Sequence, residues 1–427
     1  TYLLTVYTPA DQRGDWINGF FPGTTPYMTE SNQIEQLALY LNQNYGSKTF
    51  ILLNWEGDNA MSFVSDSTSN QSRWDYYVNW LQSRSDGVST AKSLGAGNVF
   101  FGAEFNLVKK LSGMACGATS SDPNQPYLNR CLIDYVLPKL SNVDYYSYSS
   151  WQSVNVKVGN PSASLLQTLN NDLGTAKSAI EAGLGGSTLS PASFILGEYG
   201  FARTIYGECN AANYVQEFVN AVDGPGSFGV SYAIFWQILD NAWRTQDGGS
   251  DLITNTSTQT LDWFTFGLYR PDDNNAFALD PTLTGSMLSS LVTGSQPPFI
   301  PGDCPSINQG GIVNGAAGWV PDFNPSSVMS IFGNSLSGYG DSTVRFFQGD
   351  HGPSTCDPNI NQIVIIGNGS QWWYQSANQI NASIPASVTT SGTDCGNPNV
   401  SLTGGAIVWV RDARGIDSNG GVINVHP

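Results

Sequence analysis

Two short apolar runs end abruptly in a glutamate: Phe50-Ile51-Leu52-Leu53-Asn54-Trp55-Glu56 and Phe194-Ile195-Leu196-Gly197-Glu198-Tyr199-Gly200. Each reads as a buried parallel strand with a carboxylate at its C-terminal end. In a barrel of alternating strands and helices, that end carries the chemistry. Two carboxyl groups facing each other across a sugar suffice to break a glycosidic bond, provided one keeps a proton while the other is ionised. Trp55, Met61 and Phe63 are placed to desolvate Glu56 and raise its pKa. Tyr148 and Arg203 are donors suited to holding Glu198 ionised. A third strand-end carboxylate, Glu104 in Gly102-Ala103-Glu104-Phe105-Asn106, suits sugar hydroxyls, or replaces Glu56 as the acid, or forms a structural ion pair with Lys109 or Lys110.

Aromatic and short polar residues gather at the same strand ends. Trp151, Trp236 and Trp243 offer indole faces on which a pyranose ring can stack, and Trp55 adjoins Glu56. Asn54, Asp58 and Asn59, with Asp240 and Asn241 from the last strand, suit hydrogen bonds to hydroxyls. Ordinary packing, turns and helix caps account for the same residue types without a ligand. The only histidines are His351 and His426, so the first 290 residues hold neither a Ser-His-Asp triad nor a histidine zinc site. No phosphate-binding glycine loop is found, and neither metal nor cofactor is expected.

These residues need a scaffold, and residues 1 to about 290 supply alternating strand-like and helix-like segments. Expected strands are Tyr2–Tyr7, Thr49–Leu53, Val99–Ala103, Val143–Ser147, Ser193–Gly197 and Ser231–Trp236. Expected helices are Ser31–Asn44, capped by Thr29 or Ser31, then Arg73–Ser83, Leu128–Leu140, Leu165–Ala182 and Ala211–Val222. Repeated units of this kind predict an α/β fold, a (β/α)₈ TIM barrel. Six units are counted where eight are needed, so two strands are expected upstream of Thr1. Gln296-Pro297-Pro298 begins a linker, taken as 296–305 between a barrel over 1–295 and a module over 306–427. The module reads as an all-β sandwich with strands near Val328–Phe332, Thr343–Phe347, Gln362–Ile366, Gln379–Ile384, Ala406–Val410 and Gly421–Val425.

Composition narrows the class of partner. The 427 residues carry a formal charge of −17 and only 12% charged residues. Nucleic acid and anionic membrane surfaces are thereby disfavoured, and a neutral polymer is favoured. No apolar run approaches the ~20 residues of a membrane span. Six cysteines without a Cys-x-x-Cys pair predict disulfides in an extracellular or cell-surface protein. Suggested pairs are Cys116 with Cys131, Cys209 with Cys304, and Cys356 with Cys395. Sequons stand at Asn70, Asn255, Asn368, Asn381 and Asn399.

The strand-end residues resemble those of the clan A glycoside hydrolases. That resemblance implies a (β/α)₈ barrel with the acid/base Glu after strand four and the nucleophile after strand seven. Matched residue by residue, Glu56 falls on the acid/base, Glu198 on the nucleophile, Tyr148 on a strand-six Tyr touching the nucleophile, and Trp236 on a strand-eight Trp lining the sugar site. One departure stands out, because the clan's Asn directly precedes the acid Glu, whereas Asn54 is separated from Glu56 by Trp55. The segments Gly311–Ala317, Pro325–Ser337 and Ile380–Pro385 resemble an immunoglobulin-like IPT/TIG module of secreted bacterial proteins, and Trp372-Trp373-Tyr374 suggests an exposed sugar-binding strip or a packed turn. The expected activity is hydrolysis of a poly- or oligosaccharide. A non-catalytic carbohydrate-binding or cell-surface protein on the same barrel, and a glycan transferase, stay open, and nothing in the chain sets an oligomeric state.

Overall fold

The computed structural model describes residues 1–9, 19–110, 112–236, 269–272, 275–295, 298, 303–314, 322–323, 327–337, 340–347, 363–367, 373–385, 393–394, 397–401 and 404–425. They form two compact units, Thr1–Tyr199 with Val219–Phe235, and Gly200–Phe218 with Trp236–Pro427.

The first unit is built on six parallel strands: β1 (Tyr2–Thr5), β2 (Phe50–Leu53), β3 (Val99–Phe105), β4 (Tyr145–Ser149), β5 (Phe194–Tyr199) and β6 (Ala233–Phe235). Their order in the sheet is their order in the chain. A doubly wound sheet reverses at an internal switch point. A sequential order with β1 at an edge is instead the winding that α/β barrels use. The connecting helices include α1 (Thr25–Asn44), α2 (Gly57–Ser62), α3 (Gln71–Ser93), α4 (Trp151–Val154) and α5 (Leu165–Gly183).

Local chemistry explains where the boundaries moved. Helix α1 starts at Thr25 because Pro26 tolerates the first turn, where an N–H has no partner anyway. Neither Thr29 nor Ser31 therefore caps it. The expected helix over Leu128–Leu140 is a π-helical turn, Leu132–Val136, followed by a 3₁₀ turn, Leu137–Lys139, which contains Pro138. Helix α5 follows its apolar spacing closely: Leu165, Leu169, Leu173, Ala176 and Ile180 are buried. The Ser164 side chain caps it by accepting from Gln167 N at 3.2 Å.

In the second unit, two mainly antiparallel sheets share one core. One has the order β8 (Asp322–Phe323), β15 (Gly421–Val425), β14 (Gly404–Arg411), β10 (Thr343–Phe347), β11 (Ile363–Ile366). The other runs β12 (Tyr374–Gln375), β13 (Gln379–Ser383), β9 (Val328–Asn334), β7 (Ser306–Asn314). Ile331 and Ile380 from the second sheet pack with Val344, Val408 and Ile423 from the first. Trp373 packs against this core while Tyr374 is exposed, so the expected aromatic strip is split by strand alternation. Trp372 lies outside the described residues. Within this unit the buried Glu208 carboxylate accepts from Leu283 N and Asp417 N, and Asp417 in turn pairs with Arg411.

Disulfides join Cys116 to Cys131 and Cys209 to Cys304. Cys356 and Cys395 lie outside the described residues. Among the described residues no helix is long and apolar enough to cross a membrane.

Replacing Leu173 by Ala should leave a cavity under α5 and cost about 2–5 kcal/mol in denaturant-unfolding free energy. Ser164→Ala, which removes only the cap, should cost about 1 kcal/mol in the same measurement.

Candidate active site

Strand alternation brings chemistry to one face of the sheet. Ile51 and Leu53 of β2 and Ile195 of β5 form an apolar cluster there, with Leu3, Phe100, Tyr145 and Tyr232 packed against it. Two residues further along β3 and β4, the same face carries Gly102 and Ser147, and two further again Glu104 and Ser149.

Strand β5 breaks this rhythm. Tyr148 pairs with Leu196, but Ser149 pairs with Glu198, so Gly197 is an extra residue. Such a bulge re-aims the side chain that follows it. Glu198 thus joins the face of Ile195, Ser147 and Ser149. Gly197 also has a steric reason to lack a side chain: a Cβ there would lie 2.2 Å from Glu104 Oε2 and 2.3 Å from Ser147 Oγ.

The result is three carboxyls held by neutral donors. Ser149 Oγ lies 3.0 Å from Glu56 Oε1 and 2.9 Å from Glu198 Oε2, so those two oxygens are no more than about 6 Å apart. Trp151 Nε1 donates to Glu198 Oε2 at 3.0 Å. Asn59 Nδ2 donates to Glu56 Oε2. Glu104 accepts from Glu56 N at 3.0 Å through Oε1 and from Ser147 Oγ at 2.8 Å through Oε2. Glu56 and Glu104 are 2% and 3% exposed. Burial, then the neighbouring Glu56 carboxyl, push Glu198 up to about 7. Burial, then the charge of Glu198, push Glu104 up to about 8. The common cause is desolvation combined with like charge in one pocket.

Several expected contacts are replaced by others. Asn54 is fully buried: its Oδ1 accepts from Glu104 N at 2.8 Å, and its Nδ2 donates to Glu104 O at 3.1 Å and to the Tyr77 hydroxyl at 3.4 Å. Asp58 is a buried clamp, accepting from Leu132 N, Asn106 N and Leu107 N, while Asn106 Oδ1 accepts from Asp58 N in return. Burial pushes Asp58 up to about 6, with those three N–H groups pulling it back. Tyr148 does not touch Glu198. Alternation turns it to the opposite face, where it stacks on Phe105 at 5.1 Å and shares Ser153 with Asp172. Its phenol is pushed far up by burial and then by Asp172.

Phe63 is 77% exposed and shields nothing. Arg203 belongs to the second unit, where it faces Asp417. Glu104 has no lysine partner: Lys109 is exposed and Lys110 donates to Arg130 O. Trp55 is half-buried beside Glu56. Trp151 is half-buried and serves as a donor to Glu198. Trp236, also half-buried, is grouped with the second unit. Asp240, Asn241 and Trp243 lie outside the described residues. Ser147 and Ser149 are not among the expected site residues, although the alternation Tyr146-Ser147-Tyr148-Ser149 is a period-2 signal that places both hydroxyls on the carboxylate face.

No family model matches the chain, and no curated protein matches it. Among solved structures it is similar to a beta-glucosidase from Exiguobacterium marinum, with 12% identity over 68% of this chain and 75% of that one and a TM-score of 0.42. It is also similar to GH5_18 from Streptomyces cattleya in complex with GlcNAc, with 14% identity over 65% of this chain and 56% of that one and a TM-score of 0.39. A calcium-binding mutant of Bacteroides uniformis beta-glucuronidase 2 aligns with the whole chain at 12% identity and a TM-score of 0.35. The chain spans 41% of that glucuronidase, and less than two thirds of the Streptomyces protein. Likeness of this degree assigns no family.

Asp58→Asn should destabilise the fold by about 3 kcal/mol in chemical denaturation, because the new amide turns its own hydrogens toward buried N–H groups.

Proposed function

We propose that the protein is a retaining glycoside hydrolase in which Glu198 is the nucleophile and Glu56 the acid/base. The observation that carries this reading is the single Ser149 hydroxyl within hydrogen-bond reach of both carboxyls. Retaining enzymes hold their carboxyls about 5–5.5 Å apart, whereas inverting ones leave room for a water at about 6.5–9.5 Å.

The same hydroxyl supports the assignment of roles. A serine has one hydrogen to donate and lone pairs to accept with. Donating to both carboxylates at once is beyond it. The Trp151 indole, a donor only, already points at Glu198 Oε2. The arrangement that suits these roles runs from a protonated Glu56 Oε1 to Ser149 Oγ, and from the Ser149 hydrogen to an ionised Glu198.

In the first step a Glu198 oxygen attacks the anomeric carbon, the glycosidic C–O bond breaks, and the Glu56 proton goes to the leaving oxygen. In the second, Glu56 takes a proton from water, the hydroxide oxygen attacks the same carbon, and the Glu198 ester bond breaks. The half-buried indoles of Trp55 and Trp151 supply faces for the sugar. The wider reading takes 1–295 as the catalytic barrel, 296–305 as a linker and 306–427 as an immunoglobulin-like module. The disulfides favour an extracellular or cell-surface setting, with a poly- or oligosaccharide as substrate.

Glu198→Gln and Glu56→Gln should each lower kcat on an aryl glycoside by about a thousandfold or more, and proton NMR of the wild-type reaction should show the first-formed product with its anomeric configuration retained. Inversion, or full activity in either variant, refutes the assignment. Trp151→Phe removes a donor to the charged form of Glu198. The acidic limb of the kcat/KM profile, expected near pH 7, should therefore move to higher pH, with kcat falling about tenfold.

A further inference from the structure

The third carboxyl has no task in a two-carboxylate mechanism, yet the pocket is shaped around it. Asn54 grips both the N–H and the C=O of Glu104, fixing its backbone. Gly197 gives up a side chain in favour of the Glu104 carboxyl. One Glu104 oxygen receives the backbone N–H of Glu56 itself, and the other receives the Ser147 hydroxyl, one step below the Ser149 bridge. Among the described residues no cation reaches it.

Resting on the proposed hydrolase reading, we infer that Glu104 is a positioning residue: as a neutral carboxylic acid it anchors the turn that carries Glu56 and withholds a further negative charge from Glu198. Neutrality is chemically consistent with its contacts. Oε1 accepts from Glu56 N–H, and Ser147 Oγ, 2.8 Å from Oε2, has lone pairs of its own, so a protonated Oε2 would donate along the same line. Its upward shift to about 8 agrees with a proton retained at neutral pH. Were Glu104 ionised instead, its charge would raise the proton affinity of Glu198 and leave the nucleophile protonated and inert.

Glutamine copies this neutral acid, since its oxygen accepts from Glu56 N and its amide donates to Ser147. Glu104→Gln should therefore retain kcat within about threefold. Glu104→Leu, and Gly197→Ala, which drives a methyl into the carboxyl, should each lower kcat about a hundredfold with KM little changed, the signature of misplaced reacting groups.

A second readout is independent of activity. A carboxyl whose folded-state pKa is raised keeps its proton longer in the fold than in the unfolded chain. Its contribution to stability is full below the ordinary carboxyl range and is lost as pH rises through the folded value. Glu198 contributes such a decline up to about pH 7 and Glu104 up to about pH 8. Thermal unfolding of wild type should show Tm falling between pH 7 and pH 8, and Glu104→Gln should abolish that part of the fall. An inactive Glu104→Gln beside an inactive Glu198→Gln overturns the inference and makes Glu104 catalytic while sparing the hydrolase reading. A Glu104→Gln variant that keeps the full pH 7–8 decline also overturns it. If wild type turns over no glycoside, the hydrolase reading fails, and the Tm profile alone still decides whether Glu104 keeps its proton.

Discussion

Burial of like charge governs this site. Three carboxyls, Glu56, Glu104 and Glu198, share one face of a parallel sheet, and every donor that reaches them among the described residues is neutral. Arginine or lysine would stabilise all three as carboxylates and remove the difference in proton occupancy that the proposed roles require. For Glu104 and Glu198, serine, indole and backbone donors offset only part of the cost of burial. Charge repulsion then decides how many protons stay, and hydrogen-bond direction decides where.

That arrangement depends on the geometry of β5. A regular strand would send Glu198 to the face that Tyr148 and Leu196 occupy, toward the helices. The extra residue at Gly197 returns it to the pocket, and the missing side chain there leaves the volume that Glu104 fills. One glycine thus performs two tasks, and the cost of placing it in a strand is confined to a position where no larger residue fits. Mounting Glu104 and Glu198 on strands fixes two of the carboxyls, and the Glu104 side chain holds the turn that carries the third, Glu56.

The fold was legible where period and punctuation agreed. The strand before Glu198 and helix α5 were readable because a continuous apolar run, or apolar residues three or four apart, leave few alternatives. The strands of the C-terminal sheets were readable from short alternating runs between turns. The π and 3₁₀ turns over 132–139 were not, because Pro138 and the Asp58 clamp override helical spacing through contacts remote in sequence. At the site, Glu56 and Glu198 were legible as carboxylates at strand ends. The face of Tyr148 was not, since it follows from the register of β4 against a bulged β5, and bulges leave only a glycine as their trace. The serines were overlooked for a related reason: their importance lies in what they bridge, and bridging is a tertiary property.

Asn54-Trp55-Glu56, the departure from the expected Asn-Glu adjacency, acquires a physical meaning in this frame. The backbone ladder between β2 and β3 ends with Leu52 opposite Phe101. Beyond it the Asn54 amide takes over, accepting from Glu104 N and donating to Glu104 O as a peptide group would. A side chain that replaces a ladder peptide frees the main chain of Trp55 and Glu56 to leave the sheet and turn into α2. The turn then presents its own N–H to Glu104 and its carboxyl to Ser149 and Asn59. Had Glu56 continued the strand, its backbone N–H would be committed to the ladder and unable to bind the Glu104 side chain. The residue inserted between Asn and Glu is thus what lets the chain leave the ladder early enough for the third carboxyl to be gripped at both its backbone and its side chain.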